Sequence, residues 1–196
     1  METGFLEFLT RVLERLSRVG VYVGCGILIA AAVLVGFEVI ARKLFAFSLT
    51  GADEIAGYAF AISITWGYSF ALFQRAHIRV DALYVHLPAR FQRILDIVAL
   101  TGFAVVIGLL NYHALLTLLE TLRMGARAST PLSTPLWIPQ SLWLVGLTYF
   151  LLCILMLLVR ALLALASGRH EVVKTIAGAP SVIDEASGAP VESSRE

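Results

Sequence analysis

The sequence predicts an all-α integral membrane protein with four transmembrane helices. A short amphipathic helix lies in the cytoplasmic interface between the second and third, and both termini are cytoplasmic. Three observations carry this. Of 196 residues, 59% are hydrophobic and 15% charged, against about a quarter charged in an ordinary soluble domain. The charges leave uncharged runs of 19 residues at 19–37, 20 at 55–74, 23 at 97–119 and 32 at 128–159; a helix needs roughly 20 apolar residues to cross a hydrocarbon core of about 30 Å. The basic residues are also lopsided. Arg11, Arg15, Arg18, Arg75, Arg79, Arg90, Arg93, Arg160, Arg169, Lys174 and Arg195 fall on one side of the four spans, and only Arg42, Lys43, Arg123 and Arg127 on the other. The side rich in Lys and Arg is the cytoplasmic one. With a net charge of +1, the asymmetry is a topology signal, and nothing points to nucleic acid as a partner.

Residues 1–18 form an amphipathic segment. Phe5, Leu9, Val12, Leu16 and Val19 recur at helical spacing, with Glu7, Arg11, Glu14, Arg15 and Arg18 on other faces. Such a segment either lies on the membrane or extends the first span. The membrane domain covers 19–166. Its first helix, at about 19–41, is read as permanent: its flank carries acids as well as bases, and its apolar run is longer than that of a cleaved signal. Gly20, Gly24, Ala32 and Gly36 share one i, i+4 row, interrupted by Leu28.

The second helix, at about 53–74, opens on Thr50-Gly-Ala-Asp53, which reads as a capping box, with Asp53 and Glu54 at the positive end of the helix dipole. Gly57, Ala61, Thr65 and Ser69 make an unbroken small-residue row, the device by which membrane helices approach closely. Trp66 sits near mid-span. Tryptophan prefers the interface belt, where Trp137 and Trp143 are expected, so Trp66 is assigned to contact with another helix, of this chain or a partner.

In the loop that follows, Val80, Leu83, Tyr84 and Leu87 fall on one face and Arg79, Asp81 and His86 elsewhere, giving the interfacial helix at about 79–87. Pro88 ends it and opens the third helix, at about 89–122. The breakers from Ser129 to Pro139 delay the fourth helix to about 139–165, with Pro139 in its first turn. The tail, 167–196, has scattered charge, Gly and Pro and no aromatics, and is read as disordered and cytoplasmic.

The spans offer little chemistry. Intramembrane ionisable groups mark ion and proton paths, but Glu38 lies near the outer end of its span, four residues from Arg42, and is read as one half of an ion pair. Glu120 and Arg123 are expected to pair similarly, and Asn111 and His113 to bond a neighbouring helix. Cys25 and Cys153 each lie within a span and read as small buried residues. Haem b needs facing histidines, and of His77, His86, His113 and His170 only His113 lies in a span. A redox complex's haem-anchoring subunit is therefore disfavoured. So is a stand-alone proton-coupled exporter, which needs a carboxylate deep in its first helix. No metal, cofactor or catalytic residue is expected, and packing is the reading left.

Several of these residues carry a family resemblance. The run Asp53-Glu-Ile-Ala-Gly-Tyr58, the mid-helix Trp66, Ala76-His-Ile-Arg-Val-Asp-Ala-Leu83 with Leu87-Pro88, and Thr134-Pro-Leu-Trp-Ile-Pro-Gln140 resemble the small membrane subunit (DctQ-type) of TRAP transporters, over roughly residues 15–165. The resemblance implies a bacterial inner-membrane importer of three parts. A periplasmic solute-binding protein delivers the substrate, commonly an organic acid, and docks transiently. A large permease subunit carries the substrate and ion sites and moves by an elevator-type mechanism, usually driven by sodium. The small subunit packs against the large one as a fixed scaffold, here as a separate chain ending in its polar tail. On this reading Glu54, Gly57, Ala61, Thr65, Trp66 and Ser69 are the candidate packing and subunit-interface residues, and His77, Arg79 and Asp81 belong to the interfacial helix.

Overall fold

The computed structural model describes residues 2–45, 47, 50–74 and 88–166. The interfacial helix with His77, Arg79 and Asp81, and the tail, lie outside the described residues. Four helices follow in order, α1 (Glu2–Phe45), α2 (Ala52–Phe73), α3 (Ala89–Met124) and α4 (Trp137–Ala166). Each contains a stretch long and apolar enough to cross a membrane.

α1 runs through the amphipathic segment and the first apolar run without a break, because no proline interrupts 2–45 and the apolar positions keep their helical spacing across the join. α2 begins after Gly51, which takes the left-handed conformation (φ 100°) and caps the helix with no side-chain hydrogen bond. The capping box expected at Thr50 does not form. Its threonine stands one residue too early, and the chain enters the helix through a backbone geometry that favours glycine. α3 starts on Pro88 and ends at Gly125 (φ 61°), where the Ala126 amide turns back to the Thr121 carbonyl at 3.1 Å, closing a Schellman turn.

α4 starts at Trp137, two residues before Pro139. The Ile138 amide bonds the Pro135 carbonyl and the Gln140 amide the Leu136 carbonyl. Pro139 therefore falls within the first turn, where a missing donor costs nothing. The connection between α3 and α4 folds on itself: Ala128 N–H bonds Thr134 O at 2.9 Å and Leu136 N–H bonds Ala126 O at 3.2 Å, around a turn closed by Ser133 N–H to Thr130 O.

α4 is the hub. It packs on α3 and on α2 and touches α1, while α1 lies along α2. Leu147, Phe150, Cys153 and Ile154 of α4 are all within 1% of complete burial and centre a core that reaches Leu72 of α2 and Leu100, Ala104 and Ile107 of α3. Phe150 meets Phe103 edge-on and Tyr68 at a tilt, each with 5.5 Å between ring centres. Asn111 Nδ2 donates to Thr148 Oγ1 at 3.1 Å, the α3–α4 bond anticipated for Asn111. His113, by contrast, faces outward.

Arg42 Nη2 donates to the buried carboxylate of Glu38 at 2.8 Å. Glu120 and Arg123 form no such pair among the described residues: at i, i+3 both side chains extend into open surroundings. Cys153 is buried as expected, but Cys25 is exposed on the α1 surface, because it lies one residue past the row that faces α2.

Candidate packing and interface site

α2 is held on two faces. Its first turn is clasped by the loop between α3 and α4. A Cβ on Gly51 would collide with Leu132, so glycine is needed there for space as well as for its backbone angle. Glu54 Oε1 accepts from Tyr58 Oη at 2.7 Å, one turn along the same helix, and Glu54 Oε2 accepts from the Thr130 hydroxyl of the loop. The carboxylate thus ties the start of α2 to a segment 76 residues later.

Lower down, Trp66 is caged by this chain's own helices. Its ring stacks on Tyr149 of α4, 5.2 Å between centres and 24° between planes. On the other side a methyl group added to Gly20 of α1 would lie 2.6 Å from the indole Cε3. Gly146 of α4 is filled in the same sense by Thr65 and Trp66. One turn from Gly20, Gly24 lies against Ser63. Tyr149 then reaches across to α1 and donates from Oη to the Leu13 carbonyl at 2.6 Å, one turn from the fully buried Ser17.

The row Gly57–Ala61–Thr65–Ser69 does not share one environment. Gly57 is exposed with open space around it, Ala61 is half-buried, and Thr65 and Ser69 are essentially inaccessible. An i, i+4 row advances about 40° around a helix at each step. Three steps carry this one from the outer surface at Gly57 onto the α4-facing side at Ser69, beside Cys153. The α1 row turns in the same way, from Gly20 and Gly24 against α2 to the exposed Ala32 and Gly36.

Sequence reasoning missed Gly146 and Tyr149 on α4, Ser63 on α2, and Thr130 and Leu132 in the loop. The visible signal was the i, i+3 spacing of Gly146 and Tyr149 on a helix without other glycines.

Four apolar helices joined by glycine contacts and a few hydrogen bonds, Asn111 to Thr148 and Tyr149 to Leu13 between helices and Thr130 to Glu54 from the loop, define a multi-pass α-helical membrane protein. The model of the family described as tripartite ATP-independent periplasmic transporters, DctQ component, matches residues 31–166. The chain belongs to that family and is a TRAP-transporter small permease subunit, a non-enzymatic transport component. Neither a search of curated proteins nor one of solved structures returned a match. In TRAP systems this component works with a large permease subunit and a periplasmic binding protein.

Proposed function

We propose that this chain is the fixed scaffold of its transporter, a rigid four-helix body that holds the large permease subunit during ion-gradient-driven uptake of an organic acid. The observation that carries this reading is the cage around Trp66, in which Gly20, Gly146 and Tyr149 bring three helices onto one ring. A body that must stay still while its partner moves is served by contacts with two discrete outcomes, packed or broken, and not by a deformable seam.

The excess of Lys and Arg supports an inner-membrane protein with both termini and residues 75–93 in the cytoplasm, and the amphipathic pattern of 79–87 supports an interfacial helix there, with His77, Arg79 and Asp81 as its candidate residues. Residues 167–196 are then a cytoplasmic tail. The open Gly57–Ala61 end of the α2 row is the part of that row left for the large subunit, while Thr65, Trp66 and Ser69 serve internal packing and Glu54 the loop clasp.

The test is co-expression with a tagged large permease subunit, followed by purification and proteoliposome uptake. The pair is expected to co-purify and to transport only with binding protein and an ion gradient. Robust uptake by this chain alone would overturn the scaffold assignment.

A further inference from the structure

We infer that residues 75–87 fill a bay beneath the end of α2, where their apolar face covers Ala161 and Ala164 of α4 and Arg79 meets Asp96 of α3. The bay arises from a step in helix length. Thr65 and Trp66 lie against Gly146 of α4, so Phe73, which ends α2, is level with about Ile154. α4 runs on to Ala166, about 18 Å further at the rise of a helix. α1 continues as well. Gly20 lies against Trp66, which brings Leu13 level with Phe73, and the helix extends from there to Glu2, about 16 Å. α1, α3 and α4 thus wall a space that α2 does not enter.

The length of the connection fits that space. Asn111 bonds Thr148, and the start of α3 at Ala89 lies about 33 Å from that level, toward the Ala166 end of the bundle. Phe73 lies only about 9 Å past Thr148 on the same scale. The chain between Phe73 and Ala89 must therefore descend about 24 Å along the bundle. Residues 74–88 reach up to about 50 Å when extended, so the descent is within range. A flat run at the level of Phe73 does not arrive at Ala89.

Burial points to the same place. Leu157, Ala161 and Ala164 continue the α4 face that meets α2 higher up through Gly146, Phe150 and Cys153. They are 7%, 0% and 7% exposed although α2 has ended. α1 meets α4 far less than α2 does and does not replace it as a cover. The two alanines leave room for a close approach, and Val80, Leu83, Tyr84 and Leu87 fall on one face of the connection.

The charges match too. Asp96 is 3% exposed, on the row of α3 that also carries Leu100 and Ala104, and a buried carboxylate is held by a cation or by hydrogen bonds. It lies about 13 Å below Phe73 by the same register. Arg79 follows Phe73 by six residues, which span about 9 Å as helix and about 20 Å extended, so it comes level with Asp96. Arg160 at the edge of the bay is half-buried, and Asp81 gives the connection a second, opposite charge. The connection then belongs to the rigid body and is not a loop lying on lipid.

The test uses the full chain in membranes with the exposed Cys25 replaced (Cys25→Ser), Cys153 being inaccessible. Ala164→Cys is combined in turn with Val80→Cys, Leu83→Cys, Tyr84→Cys and Leu87→Cys, oxidised, and mapped by peptide mass. At least one pair is expected to form a disulfide in most of the chain. The same four with Val159→Cys, 45% exposed and about 140° round α4 from Ala164, are expected to form none. No disulfide to Ala164→Cys in folded variants, or equal yields at 159, would overturn the inference. So would a disulfide from Ala164→Cys to Val182→Cys with none from the connection, which gives the bay to the tail.

Charge exchange gives a second readout. Asp96→Arg is expected to lower recovery of folded chain roughly tenfold, and adding Arg79→Asp to restore most of it. Adding Arg93→Asp instead, one turn from Asp96 on α3, is expected to restore none. Rescue by Arg93→Asp and not by Arg79→Asp would place the partner of Asp96 on its own helix and overturn the pairing.

Discussion

The two helical hairpins solve one problem by opposite means. α1 and α2 meet through absence of side chain, at Gly20 against Trp66 and Gly24 against Ser63. α3 and α4 meet through bulk, with Phe103 edge-on to Phe150 and Ile107, Leu147 and Ile154 filling the space around them. In lipid there is no hydrophobic drive between helices, so both depend on shape and a few polar bonds. The difference teaches where each is fragile: the first hairpin fails when volume is added, the second when it is removed.

That contrast is most sharply broken at Gly20. Gly20→Leu places a branched side chain where even Cβ comes within 2.6 Å of the indole; a cost of about 3 kcal/mol is expected from overpacking, read as a lower unfolding midpoint in denaturing detergent together with a changed Trp66 emission. Phe150→Ala should come next, at about 2–3 kcal/mol. It opens a cavity in the α4 core, and the membrane-embedded unfolded state, itself in apolar surroundings, softens the loss. The same titration checks it, and a cost below that of Tyr149→Phe would contradict the comparison.

Tyr149→Phe keeps the stack on Trp66 and removes only the bond to Leu13. About 1 kcal/mol or less is expected, in line with interhelical hydrogen bonds in membranes. The smallest effect belongs to Gly57→Ala. With nothing within 4 Å of its Cβ position, the isolated chain should be unchanged or gain about 0.5 kcal/mol of helix propensity. Co-purification with the large subunit is the informative measurement for that variant, because a loss appearing only in the complex identifies Gly57 as a contact made outside this chain.

The four spans were legible because charge spacing and length are local properties, and apolar composition leaves no competing fold. The start of α4 slipped by two residues since a proline can occupy any position of a first turn. The capping box failed for a non-local reason: Gly51 is shaped by Leu132, which no window around Thr50 contains. Glu54 was read as a dipole partner, and its tie to Thr130 stayed invisible behind 76 residues. The small-residue rows are visible in the sequence as i, i+4 spacing, which does not show which part of a row meets which neighbour. Their turn around the helix axis is what divides Gly57 from Ser69 and Gly20 from Gly36. Trp66 was assigned to helix contact without a choice of helix, and the choice depended on Gly20 and Gly146 lying on different helices.

The clasp of Thr130 and Leu132 on the start of α2 also orders events in time. A ribosome releases α2 long before it reaches the loop between α3 and α4. During that interval the first hairpin exists without its lid, its Glu54 carboxylate answered only by Tyr58. The first hairpin therefore reaches its final form only when the second is delivered: the loop closes over the start of α2, and α4, made after it, stacks Tyr149 on Trp66.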